Sequence, residues 1–507
     1  MKVDCSNISY SDTGLFSNLV RDYVASNGTA RSFVQYEPTY KGIENAIEQR
    51  KKYPTNRKVL VEVLNKQYQS LQNTQAVKAN LDTLLEENTF VITTAHQPNI
   101  FTGPLYFFYK IIHTIQLAAD LKKRYPNYNF VPVYYMGSED ADIEEVGSFV
   151  LDGAKHQWET KQTGAIGRMK VDDALLALLQ NYIGYWSVKP SGKEVLAIIE
   201  SAYQKGNTIA EATLQMVHGF FGQYGLVVLQ PDDASLKSLF VEVMKKELLE
   251  KFSNAALQNA LKELATQYHI QTEGRAINLF YLKDQIRARI EWKESKYIIV
   301  DTEISFTQNE ILKELQDYPE RFSPNVILRG LYQETILPGI VFVGGGGELA
   351  YWMELKNVFE QAHVHYPVLQ LRNSFACIKE KQIQQWTMLG FNFVDLFSAS
   401  LDLEVQYVKK HAGDQLSLQQ QLMAHHELYL EIEKRVVQID TTLGDHTKNL
   451  AHQSEKKLIE LEKKMIRSER RKQASSIERI HHIKQSLFPE NSLQERVENI
   501  AEWIGEY

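Results

Sequence analysis

Short apolar runs punctuate the first 375 residues, and each is followed by a stretch with helical spacing. TFVITTA (89–95) is continuous and β-branched, as in a strand covered on both faces. From Gly103 to Arg124, Leu105, Phe108, Ile112, Ile115 and Ala119 recur every third or fourth position and predict a helix. FVPVYYM (130–136) predicts a second strand. GLVVLQ (225–230) predicts a third, followed by a helix running to about Leu249. IVFV (340–343) is a fourth, with a helix from Glu348, and PVLQ (367–370) is a fifth. This alternation predicts βαβ units and an α/β fold with a parallel sheet. The strand spacing is uneven, so insertions are expected near 150–220 and 270–325 within a core spanning 1–375. Residues 30–90 read as helical and polar.

The pattern changes after about residue 376. Helix formers dominate, and no proline occurs before Pro489. Tyr429, Ile432, Val436, Ile439 and Leu443 follow alternating steps of three and four, as do Leu458, Leu461 and Met465. Between them lies DTTLGDHTKN, with Gly444. The segment 376–488 therefore predicts an antiparallel coiled-coil hairpin. One hairpin buries only one stripe, so a homodimer is expected, with a symmetric partner covering the rest. EKKLIELEKKMIRSERRKQ is heavily charged, but its interspersed Glu fits a solvated coiled-coil face or dimer contact better than a nucleic-acid arm. Residues 489–507 form a tail, with a helix expected over 493–503 that has room to return to the body.

Composition narrows the classes. A chain of 507 residues exceeds one ordinary core. Its 56 Lys and Arg against 63 Asp and Glu leave −7, which gives no reason to expect nucleic acid. Cys5 and Cys377 are the only cysteines, too few for a disulfide framework or a structural zinc site, and they suit a reducing cytoplasm. MKVDCSNISYSD has Asp and Ser where a secretion signal needs an apolar run. No apolar run of about 18 residues suggests a membrane helix.

Chemistry is expected at the carboxyl ends of the strands, where open α/β sheets bind ligands. The first strand ends in AHQPNIFTGP, where His96, Gln97, Asn99 and Thr102 can hydrogen-bond and Gly103 opens the helix carrying Lys110. A turn with helix caps would use the same residues. The second strand ends in GSEDADIEEV. There Glu139, Asp140 and Asp142 could take a proton from an amine, hold an ammonium or bind Mg²⁺. Glu144 and Glu145 read as solvent-facing. The fourth strand ends in GGGGELAYW, where Gly344, Gly345, Gly346 and Gly347 let a ligand approach the backbone. The helix from Glu348 offers its N-terminus to an anion, with Tyr351 and Trp352 as stacking or core residues. Asp232 and Asp233 follow the third strand. Arg372 follows the fifth and could hold a carboxylate.

Four segments, TTAHQPNIFTGPLYFFYK, YYMGSEDADIEEV, RFSPNVILRGLYQETILPGIVFVGGGGELAYWMELKNVF and LFPENSLQERVENI, resemble the cysteine ligase family of bacillithiol biosynthesis, the cysteine-adding enzyme. The resemblance runs in order from about residue 90 to the end. It implies a Rossmann-like core similar to class I nucleotidyltransferases, with connecting-peptide insertions and a coiled coil used for dimerisation. It also implies amide formation between the carboxyl group of L-cysteine and the amino group of glucosaminyl malate. The family carries Gln or His where this chain has His96. It often has His after the Glu-Asp pair, where this chain has Ala141.

Amide formation from a free carboxylate needs activation, so ATP or ADP and Mg²⁺ are expected, with the glycine loop and the His96–Thr102 segment as anion sites. Lys110 and Lys356 would add positive charge, and His96 could stabilise charge on phosphate. No lysine-containing KMSKS-type loop is evident, and the route of activation stays open. Two alternatives remain: a nucleotidyltransferase acting on a small metabolite, and a non-catalytic nucleotide-binding coiled-coil scaffold.

Overall fold

A computed structural model describes residues 4–412 and 417–503. The chain forms two compact units. One comprises residues 15–375 together with 495–503; the other comprises residues 4–14 and 376–494.

The first unit is built on a parallel five-stranded sheet. Its strands are β1 (Thr89–His96), β2 (Asn129–Met136), β5 (Val227–Leu229), β11 (Gly339–Gly344) and β12 (Val368–Leu371), in the order β12-β11-β1-β2-β5. Every residue of β1 is buried, because helices cover both faces. Pro132 sits inside β2, where a missing N–H would normally break a ladder. β5 pairs only with residues 133–135, so Pro132 falls just outside that pairing. The order reverses between β1 and β11, as in Rossmann sheets, and this opens a crevice at their carboxyl ends.

Two insertions interrupt the sheet. Between β2 and β5 lie a hairpin, β3 (Ser148–Leu151) and β4 (Ala154–Gln157), and the helices Asp173–Trp186, Gly192–Ala202 and Ile209–Phe221. Between β5 and β11 lies an antiparallel sheet of order β10-β6-β7-β8-β9. Its strands are β6 (Leu279–Lys283), β7 (Ile286–Lys293), β8 (Lys296–Ile299), β9 (Ser305–Phe306) and β10 (Phe322–Pro324).

The second unit contains the hairpin of long helices, Gln419–Val437 and Leu443–Lys472. It occupies a narrower span than 376–488. The flanking helices Glu380–Met388, Ser400–Ala412 and Ala474–Leu487 instead form a small base around Trp386, Leu403, Tyr407, Ile480 and Leu487.

Two helix expectations are corrected. The helix after β1 begins at Tyr106 rather than Gly103, because Phe101, Thr102 and Gly103 all have positive φ (44°, 76° and 59°). The single helix expected over 493–503 is two short pieces, Gln494–Val497 and Ile500–Glu502, separated at extended Asn499.

Candidate active site

The carboxyl ends of β1, β2 and β11 open onto a cavity of about 580 Å³, lined also by the start of the helix after β11 and by β7 and β10. The strand ends are fixed locally. Tyr134 donates its hydroxyl to the carbonyls of His96 (3.0 Å) and Gln97 (3.2 Å), which pins the β1 exit. The loop that follows is strained at three successive positive-φ residues, and strain persists only where its surroundings enforce it. Asn499 does so here. Its amide donates to Phe101 O and Gly103 O, both at 2.9 Å, and its oxygen accepts the Tyr182 hydroxyl at 2.5 Å.

His96 is only 8% exposed, and neither ring nitrogen has a hydrogen-bond partner. It stacks on Tyr106, with centroids 5.1 Å apart. Burial, then the nearby Lys110 charge, holds its pKa well below the usual imidazole value. The ring is therefore a neutral donor or acceptor facing the cavity at neutral pH. Lys110 donates to Ala95 O at 2.9 Å and pairs with Glu348. Glu348 also accepts the Gly345 N–H at 2.8 Å, satisfying the backbone donor at the helix N-cap. The N–H groups of Gly346 and Gly347 belong to the first turn of the helix Gly346–Glu354 and have no intrahelical acceptor. A Cβ on Gly347 would meet nothing within 4 Å, so this edge is open. Arg372 grips Glu495 with two bonds of 3.0 and 2.6 Å.

The cavity lining also includes carboxylates. Gln97 Nε2 donates to Asp140 at 3.1 Å and to Glu145 at 3.2 Å. Burial first, then Asp142 and Asp140, raises the Glu145 pKa above the usual carboxylate range. Glu145 is exposed, as expected, and also lines the cavity. Glu139 is already engaged, because it pairs with the fully buried Lys237, which also donates to Phe322 O at 2.7 Å. Burial still pushes the Glu139 pKa upward. Asp232 is likewise held, in a two-pronged pair with Arg168 at 2.7 Å per contact.

Of the residues singled out from sequence, His96, Gln97, Lys110, Glu139, Asp140, Gly345, Gly346, Gly347, Glu348, Tyr351 and Arg372 meet at this cavity. Six lie off it. Asn99 packs against Gly103, where an added Cβ would come within 2.7 Å of the Asn99 Cβ. Thr102 donates to Asn499, and Asp142 caps the turn Ile143–Val146. Gly344 ends β11 beneath Leu349 and Phe342, and Trp352 stacks on Phe342 at 4.3 Å in the core. Asp233 caps the helix Ala234–Ser238, and Lys356 donates to Ser32 O.

Residues 1–373 match the family described as "Bacillithiol biosynthesis BshC, N-terminal Rossmann-like domain", and residues 375–507 match its C-terminal coiled-coil domain. The chain belongs to the bacillithiol biosynthesis BshC family. It is 38% identical to a relative from Flavobacterium johnsoniae named "Putative cysteine ligase BshC", over 100% of this chain and 95% of the relative. The BshC relative from Cytophaga hutchinsonii is 36% identical over 98% of this chain and 93% of its own length. The one from Bacillus cytotoxicus is 26% identical over 96% and 93%. In this BshC-family chain, several cavity residues were not singled out from the sequence, among them Tyr106, Ser138, Arg287, Ser323 and Arg329, although all but Arg287 lie in the segments that carry the family resemblance. Arg329 bonds only neutral partners, Tyr351 at 2.8 Å and Gln333 at 3.2 Å. Four residues before it on the same chain stands Asn325, which caps its helix. No helix among the described residues is long and apolar enough to cross a membrane.

Proposed function

We propose that this chain joins the carboxyl group of L-cysteine to the amino group of glucosaminyl malate, forming an amide at the expense of ATP with Mg²⁺, in the cytoplasm. One observation carries the reading: a single cavity at the strand-order reversal is lined both by anion-seeking groups and by carboxylates that suit an ammonium. The names of the family and of its relatives support cysteine as a substrate and a place in bacillithiol biosynthesis.

The donor set suits a phosphate. Gly346 and Gly347 supply unbonded N–H groups, Arg329 a guanidinium with neutral partners, and His96 an unpartnered neutral imidazole. No group of three acidic or imidazole side chains suited to a metal occurs among the described residues. Mg²⁺ would enter on the ATP phosphates, which can supply most of its ligands, leaving Asp140 and Glu145, both bonded to Gln97, to the amine. ATP would supply activation of the cysteine carboxyl.

The chain's own residues do the remainder. His96 and the glycine edge meet charge developing on the transferring group. Asp140 and Glu145 orient the sugar ammonium and take its proton, and the raised Glu145 pKa brings it nearer to a working base. Glu139, occupied by Lys237, shapes this wall rather than accepting a proton.

The same proposal includes a homodimer formed through the coiled coil. Leu428, Ile432 and Leu461 stand exposed on the long helices, Leu428 and Ile432 one turn apart on one face, as an uncovered seam would. Mass spectrometry of purified protein with L-cysteine, glucosaminyl malate and ATP–Mg²⁺, each omitted in turn, tests the reaction. The amide should require all of them. A new nucleotide-linked product formed without cysteine would favour a nucleotidyltransferase instead.

A further inference from the structure

Arg496 brings an uncommitted charge to the cavity. Among the described residues the cations of the lining are Lys110, Arg287, Arg329, Arg372 and Arg496. Lys110 and Arg372 are buried and already paired, with Glu348 and Glu495, and Arg287 and Arg329 are half-buried. Arg496 is the exposed one, and it makes no hydrogen bond or ion pair among the described residues. Its mount, in contrast, is clamped. Glu495, 1% exposed, accepts two bonds from Arg372, one from the Ser374 hydroxyl at 2.8 Å and one from the Phe375 N–H at 3.1 Å. Two residues beyond Arg496, Glu498 O accepts the Leu105 N–H at 2.8 Å, and Asn499 then holds the exit loop of β1. The backbone is thus fixed on both sides of a side chain that nothing holds. Its neighbours belong to the anion-seeking groups. Arg372, gripped by Glu495, has its Nε 3.6 Å from where a Cβ on Gly345 would stand. Tyr106, which stacks on His96, senses both guanidinium groups: burial, then Glu145 and Glu348, raise its pKa, while Arg372 and Arg496 oppose the rise.

We infer that Arg496 is a swinging cation, carried on the C-terminal tail, that closes on a polyphosphate chain bound at the Gly346–Gly347 edge. The arrangement of parts selects this class. Backbone N–H groups at the start of the helix Gly346–Glu354 offer fixed donors to one phosphate, and a guanidinium adds a two-pronged contact to the oxygens of the next. A long, exposed arm on a fixed mount suits a ligand that must enter and leave, since it can close over the bound anion and open for release. No KMSKS-type loop is evident in the sequence to bring a lysine over such a chain, and Arg496 takes that place from the other end of the protein. The identification of the chain as that of ATP rests on the proposed function; recognition of polyphosphate by Arg496 does not.

The test uses the full chain without cysteine or glucosaminyl malate, so that nothing turns over. Calorimetric titrations with ATP–Mg²⁺, AMP, inorganic tripolyphosphate and malate compare wild type with Arg496→Ala and Arg496→Lys. Arg496→Ala should weaken ATP and tripolyphosphate by about tenfold and Arg496→Lys by less, with AMP and malate unchanged. Thermal melting without ligand supplies a control: an exposed, unpaired arginine can be replaced with no change in melting temperature. A lowered melting temperature with equal losses for AMP and ATP would mark a structural role and overturn the inference. Undiminished ATP and tripolyphosphate binding in Arg496→Ala overturns it while the ligase reading survives. A loss confined to malate assigns Arg496 to a carboxylate and overturns it as well. Tripolyphosphate binding that the variants weaken, with no binding of ATP, keeps the arm and overturns ATP as the activating ligand. If wild type binds neither, both fall.

Discussion

Lys110, buried, and Glu348, 23% exposed, form an ion pair across the point where the strand order reverses. One comes from the helix after β1 and the other from the helix after β11, so the pair ties the two halves of the crevice together. Replacing one partner strands the other charge. Glu348→Gln should cost about 3 kcal/mol in urea unfolding, and Lys110→Met with Glu348→Leu clearly less.

The strained loop depends on Asn499. Asn499→Ala removes the donor to Phe101 O and Gly103 O and the shorter of the two acceptors of Tyr182, leaving it Phe101 O at 3.1 Å. A loss of about 2 kcal/mol is expected. Hydrogen exchange at the amides of residues 101–105 should accelerate, while exchange in β1 changes far less.

Gly103 has φ 59° and ψ −155°, a combination open essentially to glycine alone. Gly103→Ala also drives its Cβ against Asn99. It should destabilise by about 3 kcal/mol in thermal or urea unfolding, more than an Ala at any exposed glycine of ordinary φ.

Glu334 provides a pH signature away from the cavity. It is fully buried, one oxygen accepts from Gln333 at 2.9 Å, and the other has no partner. Burial pushes its pKa up to about 7. A raised folded-state pKa means the native state holds its proton more tightly than the unfolded chain. Stability from this group is therefore complete below the ordinary carboxylate pKa and is lost as pH rises through about 7. Glu334→Gln should flatten that decline, gaining on the order of 1–3 kcal/mol relative to wild type between pH 5 and pH 8. Urea unfolding at both pH values measures it.

The coiled coil gives the assembly prediction. Sedimentation at micromolar concentration should return a dimer mass. Leu428→Lys with Ile432→Lys should return a monomer, because charges at a buried seam disfavour pairing.

The sheet was legible because its strands are continuous β-branched or aromatic runs covered on both faces, a pattern that few other elements share. The hairpin was legible from its heptads. The loop between β1 and its helix was not, since its positive-φ turn is enforced by Asn499, nearly four hundred positions away, and no local propensity signals that. Helical phase separates Tyr351 from Trp352. Tyr351 lies one turn beyond Gly347 and shares its face, whereas Trp352 lies a further 100° round and falls onto Phe342. The strand-end carboxylates were found by position, but their different states were not. Glu139 and Asp232 are neutralised by Lys237 and Arg168, which come from separate segments.

The most direct test of the ligase account supplies L-cysteine labelled with ¹⁸O in its carboxyl group, together with glucosaminyl malate and ATP–Mg²⁺. The account predicts the cysteinyl amide with one labelled oxygen transferred to AMP or to phosphate, because the carboxylate attacks a phosphorus atom before the amine displaces it. An absent amide, or an amide formed with no label in AMP or phosphate, would contradict it.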